Sequence, residues 1–307
     1  MTTLTFLGPE GTFAHQALRI LPISAGADLE AAGSVLLAIE ALRAGRADAA
    51  LVPLENSIEG AVPATLDELA NGAPLVITDE VYLPVSFNLL VRPGTPRDQI
   101  GSVATHPHAE AQVRRWLHDN LPVVPITFAD STAAGAEAVA RGAYDAAISA
   151  PLAGELYGLE PLATDIADNP SAVTRFVLLT RPTAPAPRTG NDRTSLVAYL
   201  REDHSGALLE ILTEFSSRAV NLTRIESRPT KGRIGQYCFS IDCEGHIADE
   251  RVGYALAALH RICADVRFLG SYPRRDGRQG PVPAGRTDQE FVDSHTWLRS
   301  IRDSGTA

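Results

Sequence analysis

The sequence is poor in the features that mark secreted, membrane-spanning and zinc-binding proteins. Its 307 residues include three cysteines, Cys238, Cys243 and Cys263, which form no CxxC pair and no zinc-ligand spacing. The N-terminus lacks a basic segment followed by an apolar run, and no apolar stretch reaches the ~18 residues that a membrane span requires. We therefore expect a cytoplasmic protein that engages no membrane, with Cys238 and Cys263 in its core.

Common cofactor and catalytic motifs are also missing. GPEGTF at 8–13 lacks the spacing of a dinucleotide fingerprint, and the chain has no Walker A lysine and no GxSxG. A proline separates His106 from His108, and neither lies in HExxH, which argues against a shared metal and favours a surface position for His108. The net charge is −10 and the arginines are scattered, so nucleic acid is not an expected partner. The sequence predicts no cofactor and no metal, and any attraction for an anionic substrate must be local.

An internal repeat is present in the first half of the chain. GSVLLAIEALRAGRADAALV at 33–52 matches DSTAAGAEAVARGAYDAAIS at 130–149 without a gap. The matched positions are Ser34 and Ser131, Glu40 and Glu137, Gly45 and Gly142, and the Asp-Ala-Ala triplets at 48–50 and 145–147. Each copy predicts a serine-capped helix, a terminating glycine and a short apolar strand. We interpret the repeat as two α/β lobes, with a ligand cleft where loops follow the strands.

The second half predicts a separate domain. RPTAPAPRTGNDR at 181–193 is rich in proline and threonine and is typical of a linker. Residues 194–273 predict the order βαββαβ of a ferredoxin-like unit, in which the first helix buries Leu208, Ile211, Leu212 and Phe215 and the strand at 236–242 is half-buried. The predicted boundaries are 1–181 for the two-lobed domain (lobe 1 about 1–78 plus 174–181, lobe 2 about 79–173), 182–193 for the linker, 194–273 for the second domain and 274–307 for a tail with one amphipathic helix.

Polar residues follow predicted strands in both lobes. They are Thr12 in GPEGT, Glu55, Asn56 and Ser57 in PLENS, Thr105 and His106 in ATHPH, and Ser131 and Thr132 in ADST. Such residues bind a ligand or cap a helix, and capping is the alternative for Asn56, Ser57 and Ser131. In TRF, Thr174 and Arg175 directly precede the apolar run Phe176–Leu179. An arginine there requires an anion, which a substrate or a structural carboxylate supplies.

These stretches together resemble the prephenate dehydratase family. The matching segments are GPEGTFAHQAL (8–18), VPLENSIEGAV (52–62), TLDEL (65–69), THPHAEAQ (105–112) in place of an SHPQA-like element, DST (130–132) and NPSAVTRF (169–176), while GALLEIL (206–212) and ESRP (226–229) resemble phenylalanine-regulated ACT domains. The resemblance implies a two-lobed, periplasmic-binding-protein-like α/β catalytic domain and a ferredoxin-like ACT domain. It also implies a monofunctional enzyme that converts prephenate to phenylpyruvate, water and CO2 without a cofactor.

The resemblance assigns roles by motif. It implies that Thr174 is catalytic, with Glu55 and His106 as further catalytic candidates. Substrate-binding candidates are Thr12, Asn56, Ser57, Thr105, Ser131, Thr132, Arg175 and Phe176. Because an arginine on the ring carboxylate would stabilise the charge that this group must lose, we expect Arg175 to bind the pyruvyl carboxylate instead. Phenylalanine would bind paired ACT domains of a homodimer or homotetramer through Gly206, Ala207, Leu208, Asn221, Leu222, Glu226, Ser227, Arg228 and Pro229. Two alternatives stay open, an arogenate dehydratase and a non-catalytic two-lobed carboxylate sensor.

Overall fold

The protein divides into two compact units. A computed structural model describes residues 2–230, 237–277 and 282–305. Unit 1 comprises Met1–Thr65 and Val81–Leu178, and unit 2 comprises Leu66–Glu80 and Leu179–Ala307. The sequence patterns predicted that most of 66–80 belongs to the first lobe, and the predicted domain boundaries stay predictions. No helix in the described ranges is both long and apolar enough to span a membrane.

The N-terminal part of the chain alternates strands and helices. Its elements are β1 (Thr3–Leu7), α1 (Phe13–Ile20), β2 (Asp28–Ala32), α2 (Val35–Arg43), β3 (Ala49–Asn56), β4 (Gly60–Ala61), α3 (Pro63–Asn71), β5 (Val76–Pro84), β6 (Asn88–Val91), β7 (Val103–Thr105), α4 (Pro107–Gln112), α5 (Arg114–Asn120), β8 (Ile126–Phe128), α6 (Thr132–Ala140), β9 (Ala146–Ser149), α7 (Pro151–Tyr157), β10 (Glu160–Ala163) and β11 (Val173–Thr180). One sheet has the order β2-β1-β3-β11-β5, with β4 paired to β3, and the other has the order β10-β6-β9-β7-β8.

The internal repeat is confirmed as a repeated α/β unit. β1 pairs in parallel with β2 and β3, and β7 pairs in the same way with β8 and β9. Ser34 Oγ accepts from Leu37 N at 3.1 Å, and Ser131 Oγ accepts from Ala134 N at 3.0 Å. The glycines that end the two helices, Gly45 and Gly142, have φ of 72° and 82°, which an L side chain adopts only with strain.

Parallel strands that are buried on both faces form the centre of each lobe. β9 is buried throughout, and β3 is buried from Ala49 to Val52, as is usual when helices cover both faces of a sheet. β11 begins at Val173, so Thr174 and Arg175 lie inside the strand and not before it, which corrects the sequence interpretation. The strand extends further because Val173 exchanges backbone and side-chain hydrogen bonds with Ser57.

Unit 2 contains the predicted βαββαβ domain. Its elements are β12 (Asp192–Tyr199), α8 (Ala207–Ser216), β13 (Leu222–Pro229), β14 (Tyr237–Glu244), α9 (Glu250–Ile262) and β15 (Asp265–Pro273), followed by α10 (Asp288–Ser304). The sheet order β13-β14-β12-β15 is that of a ferredoxin-like domain. Cys238, Cys243 and Cys263 are buried and unpaired, which confirms the core assignment, and burial raises the pKa of the Cys263 thiol to about 11.

Two predictions for this domain were wrong in detail. α8 buries Ala207, Ile211 and Phe215, which are spaced four residues apart on one face of the helix. Leu208, which was predicted to be buried, lies beside that face and is 37% exposed. β14 is not half-buried, because its polar face is covered as well. On that face Asp242 Oδ1 accepts from Ser195 Oγ at 2.7 Å, and its Oδ2 accepts from Arg224 Nε at 2.9 Å. A polar alternation pattern therefore indicated a buried hydrogen-bond network and not a solvated face.

Candidate active site

A cavity of about 340 Å³ lies within unit 1, where loops after the strands meet the first turns of α1, α4 and α6. Its volume is within the range of ~300–1,000 Å³ that is usual for small-molecule sites. Its polar lining residues are Thr12, Asn56, His106, His108, Gln112, Asp130, Ser131, Thr132 and Thr174, and its larger apolar ones are Leu7, Phe13, Val85, Phe87 and Phe176. The cavity therefore combines an apolar wall with polar groups that converge from both lobes.

The side chains of Thr174 and Asn56 form the most specific contact in the cavity. Asn56 Oδ1 accepts from the backbone N–H groups of Ile58 at 2.8 Å and Glu59 at 3.0 Å, which fixes the orientation of the amide. Asn56 Nδ2 must then donate, and it reaches Thr174 Oγ1 at 2.8 Å. Because the threonine oxygen accepts this bond, its own O–H proton is available for another acceptor in the cavity.

Three helix N-termini surround the cavity. Thr12 Oγ1 caps α1 by accepting from His15 N at 3.3 Å and also donates to the carbonyl of Leu7 at 2.9 Å. Ser131 caps α6, and the Nδ1 of His106 caps α4 by accepting from His108 N at 3.3 Å. Ser131 therefore both caps α6, the alternative role that the sequence allowed, and lines the cavity. The positive ends of three helices face one space, which favours an anionic ligand.

His106, the N-cap of α4, and His108 in its first turn lie close to each other and to acidic side chains. Burial and the neighbouring His108 lower the pKa of His106, while Asp130 acts in the opposite direction. The two imidazole rings stack with centroids 5.1 Å apart, and His108 Nδ1 lies 3.6 Å from Glu59 Oε2. Because Nδ1 of His106 accepts the cap bond, its Nε2 carries the proton in the neutral ring.

Four predicted site residues do not line the cavity. Ser57 Oγ accepts from Val173 N at 3.0 Å, and the buried Thr105 hydroxyl donates to the carbonyl of Ile148 at 2.8 Å. Glu55 lies in β3 opposite Ala61 of β4. Arg175 is 3% exposed, and its guanidinium carbon lies 6.0 Å from the centre of the Tyr82 ring. Arg175 alternates with Thr174 and Phe176 along β11, which places it on the other face of the strand, so its carboxylate-binding role stays a prediction.

Several residues that line the cavity were not predicted from the sequence. Asp130 begins the DST motif but was passed over for the two hydroxyls that follow it. Gln112 ends α4, and its Oε1 is buried without a hydrogen-bond partner among the described residues. Phe13 and Phe87 pack edge to face, with ring centroids 5.3 Å apart, and resemble ordinary core residues in sequence. No pattern in the sequence separates such aromatic side chains from the core; only their position at the cavity does.

The predicted regulatory residues lie in two groups within unit 2. Gly206 is the N-cap of α8 with φ of 95°, and Ala207 lines a separate cavity of about 160 Å³ with neighbours such as Leu200 and His204. Asn221 and Leu222 lie at the start of β13 and Glu226–Pro229 at its end, so the strand separates them. Arg228 donates to Asp67 Oδ1 at 2.8 Å. None of the β13 residues lines the cavity next to Ala207.

The fold and the cavity define a class: a two-lobed α/β ligand-binding domain joined to a ferredoxin-like domain. Residues 4–184 match the family model described as prephenate dehydratase, and residues 194–261 match the ACT domain. The chain belongs to the prephenate dehydratase family.

Full-length relatives agree with this assignment. The prephenate dehydratase of Amycolatopsis methanolica is 49% identical over 303 residues, covering 98% of each chain. A prephenate dehydratase from Arthrobacter aurescens, solved in complex with L-Phe, is 49% identical with a TM-score of 0.93, covering 99% of this chain and 100% of that one. A quorum-quenching acylase, GqqA, is 30% identical with a TM-score of 0.81, covering 90% of this chain and 100% of its own. Because a protein described as an acylase shares this fold, similarity of fold alone does not determine which reaction is catalysed. The reaction must be inferred from the residues of the site.

Proposed function

We propose that unit 1 converts prephenate to phenylpyruvate, CO2 and water in phenylalanine biosynthesis. The observation that carries this proposal is the hydrogen bond from Asn56 Nδ2 to Thr174 Oγ1, which leaves the threonine proton free inside the cavity. Prephenate must lose a hydroxide-like leaving group from C4. Thr174 donates its proton to that oxygen, so the C4–O bond breaks to release water, and the threonine oxygen regains a proton from solvent. The electron pair of the bond between the ring and its carboxylate moves into the ring, and CO2 leaves as the ring becomes aromatic.

The cavity supplies attraction for the substrate where the whole protein does not. Prephenate carries two carboxylates, whereas the protein has a net charge of −10. The first turns of α1 and α6, with their caps Thr12 and Ser131, border the cavity. Helix N-termini favour anions by ~0.3–1 kcal/mol each at exposed sites and by more where burial is greater. This local field supplies an attraction for carboxylates that is independent of Arg175.

The apolar wall favours decarboxylation. Phe13, Phe87 and Phe176 line the cavity and suit the ring. A carboxylate placed near them loses hydration, and that cost disappears when the electron pair of its C–C bond moves into the ring and its carbon leaves as neutral CO2. The unpartnered Oε1 of Gln112 accepts a hydroxyl proton of the bound substrate. Prephenate carries a keto oxygen where arogenate carries an ammonium group. The preference between the two substrates therefore depends on whether a group in the cavity accepts hydrogen bonds from that ammonium.

The direct test is phenylpyruvate formation from prephenate by the purified protein in the presence of EDTA. Turnover supports the proposal and its metal-free form. Firm binding of a small carboxylate without turnover would favour the sensor alternative. Comparison of kcat/KM for prephenate and arogenate decides between the two dehydratases.

Regulation and assembly form the second part of the proposal. L-Phe binds where two ACT domains pair in a homodimer or homotetramer and changes the rate of the catalytic unit. Support comes from the edge position of β13, from the exposed side chains of Leu208 and Ile225, and from the relative solved with L-Phe. The buried, unpaired cysteines support a reducing, cytoplasmic location.

Replacement of Gly206 by tryptophan is expected to abolish the response to L-Phe and to leave basal turnover within about threefold. The added side chain covers the N-terminus of α8 and strains a residue with φ of 95°, at a cost of roughly 1–2 kcal/mol. Isothermal titration with L-Phe and initial rates measure the two effects. Gly190→Trp is the matched control, because Gly190 also has positive φ and open space around its Cβ position. Equal loss of basal activity and L-Phe binding in Gly206→Trp would contradict separate sites.

Asn56→Asp is expected to lower kcat by roughly 10²-fold, within the range for positioned proton donation. The carboxylate still accepts from Ile58 N and Glu59 N, so the turn is kept. It cannot donate to Thr174 Oγ1 and instead accepts the threonine proton that the reaction needs. Single-turnover rates and the far-ultraviolet spectrum separate this effect from misfolding. Unchanged kcat would show that the hydrogen bond does not serve the reaction.

A further inference from the structure

His15 is a buried residue that the proposed reaction does not use. It lies on α1, is 7% exposed, and stacks on Phe6 of β1 with ring centroids 4.7 Å apart and an angle of 24° between the planes. It does not line the cavity. The histidine therefore cannot act on the substrate directly, and its polar atoms must serve the protein.

The imidazole is hydrogen-bonded to the loop that precedes its own helix. His15 Nδ1 accepts from Gly11 N at 3.1 Å. An imidazole nitrogen accepts only when it carries no proton, so the ring is the neutral tautomer with the proton on Nε2. The bond runs back from α1 to the loop Gly8–Thr12.

This loop forms part of the cavity wall through Gly8 and Thr12. The loop also packs tightly against α7. A Cβ added to Gly11 would lie 3.2 Å from the Cα of Ala153 on α7, and the hydroxyl of Tyr157 donates to the carbonyl of Glu10 at 3.1 Å. These contacts to α7 do not depend on the protonation of an imidazole. The hydrogen bond from Gly11 N to His15 Nδ1, in contrast, is lost when Nδ1 gains a proton.

We propose that His15 is a positioning residue whose neutral imidazole holds the loop Gly8–Thr12 in its reactive shape, and that protonation of Nδ1 releases this loop. The imidazolium has two N–H donors and no acceptor, so its Nδ1–H would oppose the N–H of Gly11. The displaced loop carries Thr12, the cap of α1, with it. Acid then inactivates the enzyme through a residue that touches no substrate.

The surroundings set the direction of the pH effect. Burial lowers the pKa of His15, Glu10 in the loop raises it, and Arg19 on α1 lowers it. β1 and β3 present the apolar residues Phe6 and Leu51 to the core that α1 covers. The ring is therefore neutral near pH 7 and gains its proton only as the pH falls through a value below the usual ~6.5. The loss of activity lies on the acid side.

The test, which rests on the proposed function, compares pH profiles of kcat/KM for prephenate after subtraction of the uncatalysed rate. In the wild type, kcat/KM is expected to fall about tenfold for each pH unit below the pKa of His15. His15→Asn keeps an acceptor that does not titrate, so the acid limb should disappear. His15→Leu has no acceptor and should lower kcat/KM by roughly 10–10²-fold at every pH, the cost of a misplaced site. His118→Asn, on an exposed histidine of α5, should match the wild type. A wild-type acid limb in His15→Asn overturns the proposal.

A second readout does not use activity. The imidazole ¹⁵N resonances of His15, assigned by their loss in His15→Asn, should show an unprotonated Nδ1 and a protonated Nε2 at neutral pH. A proton on Nδ1 overturns the proposal even if His15→Leu fails to fold. If the wild type turns over no prephenate, the proposed function fails, and the nitrogen resonances still decide whether His15 anchors the loop.

Discussion

Replacement of Thr174 by alanine is expected to lower kcat for prephenate by about 10²–10⁴-fold, the usual contribution of a positioned proton donor. The hydroxyl lies in the cavity and accepts from Asn56, so its proton is directed to the substrate. Alanine keeps the β11 backbone and removes only the hydroxyl and a methyl group. Initial rates with saturating prephenate measure the effect, and KM should change much less than kcat because the interaction acts in the transition state.

Thr174→Ser is the matched control. It keeps the hydroxyl and the acceptor for Asn56 Nδ2, so it should retain kcat within about tenfold. Equal losses in the serine and alanine variants would indicate that the methyl group, and not the proton, matters. A Thr174→Ala protein with full turnover would remove Thr174 from the mechanism.

Arg193→Met is expected to lower the free energy of unfolding by about 3–5 kcal/mol. Arg193 on β12 is 2% exposed, and its Nη1 donates to Glu80 Oε2 at 2.5 Å while Glu80 is fully buried. Its Nη2 donates to Asp276 Oδ2 at 2.8 Å. Methionine fills much of the same volume but leaves the carboxylate of Glu80 buried without that guanidinium. Urea unfolding followed by circular dichroism measures the loss.

Two comparisons test this explanation. Asp79→Asn breaks the neighbouring pair with Arg275, whose side chain is 47% exposed, and should cost no more than ~1 kcal/mol. The double variant Arg193→Met with Glu80→Leu removes both buried charges and should recover most of the lost stability. A double variant at least as unstable as Arg193→Met alone would show that the charges are not the cause.

The predictable part of the fold came from local patterns. The serine caps, terminating glycines and apolar strands of the repeat were read correctly, because each depends on neighbours within one helical turn or one strand. The βαββαβ order was also predictable from alternation and periodicity. The face of α8 and the burial of β14 were not, because they depend on what covers the element from elsewhere in the chain.

The candidate site shows the same division. The sequence by itself determined which polar groups lie near the ends of strands, and so it indicated Thr174, Asn56 and the helix caps as candidates. Tertiary structure alone decided which of them face one cavity, since residues 118 positions apart form the bond between Asn56 and Thr174. It placed Arg175 against Tyr82, brought Gln112 and Asp130 to the cavity wall, and paired His15 with the loop before its helix. The physical reason is that strand pairing and packing, which bring distant residues together, leave no local pattern in the chain.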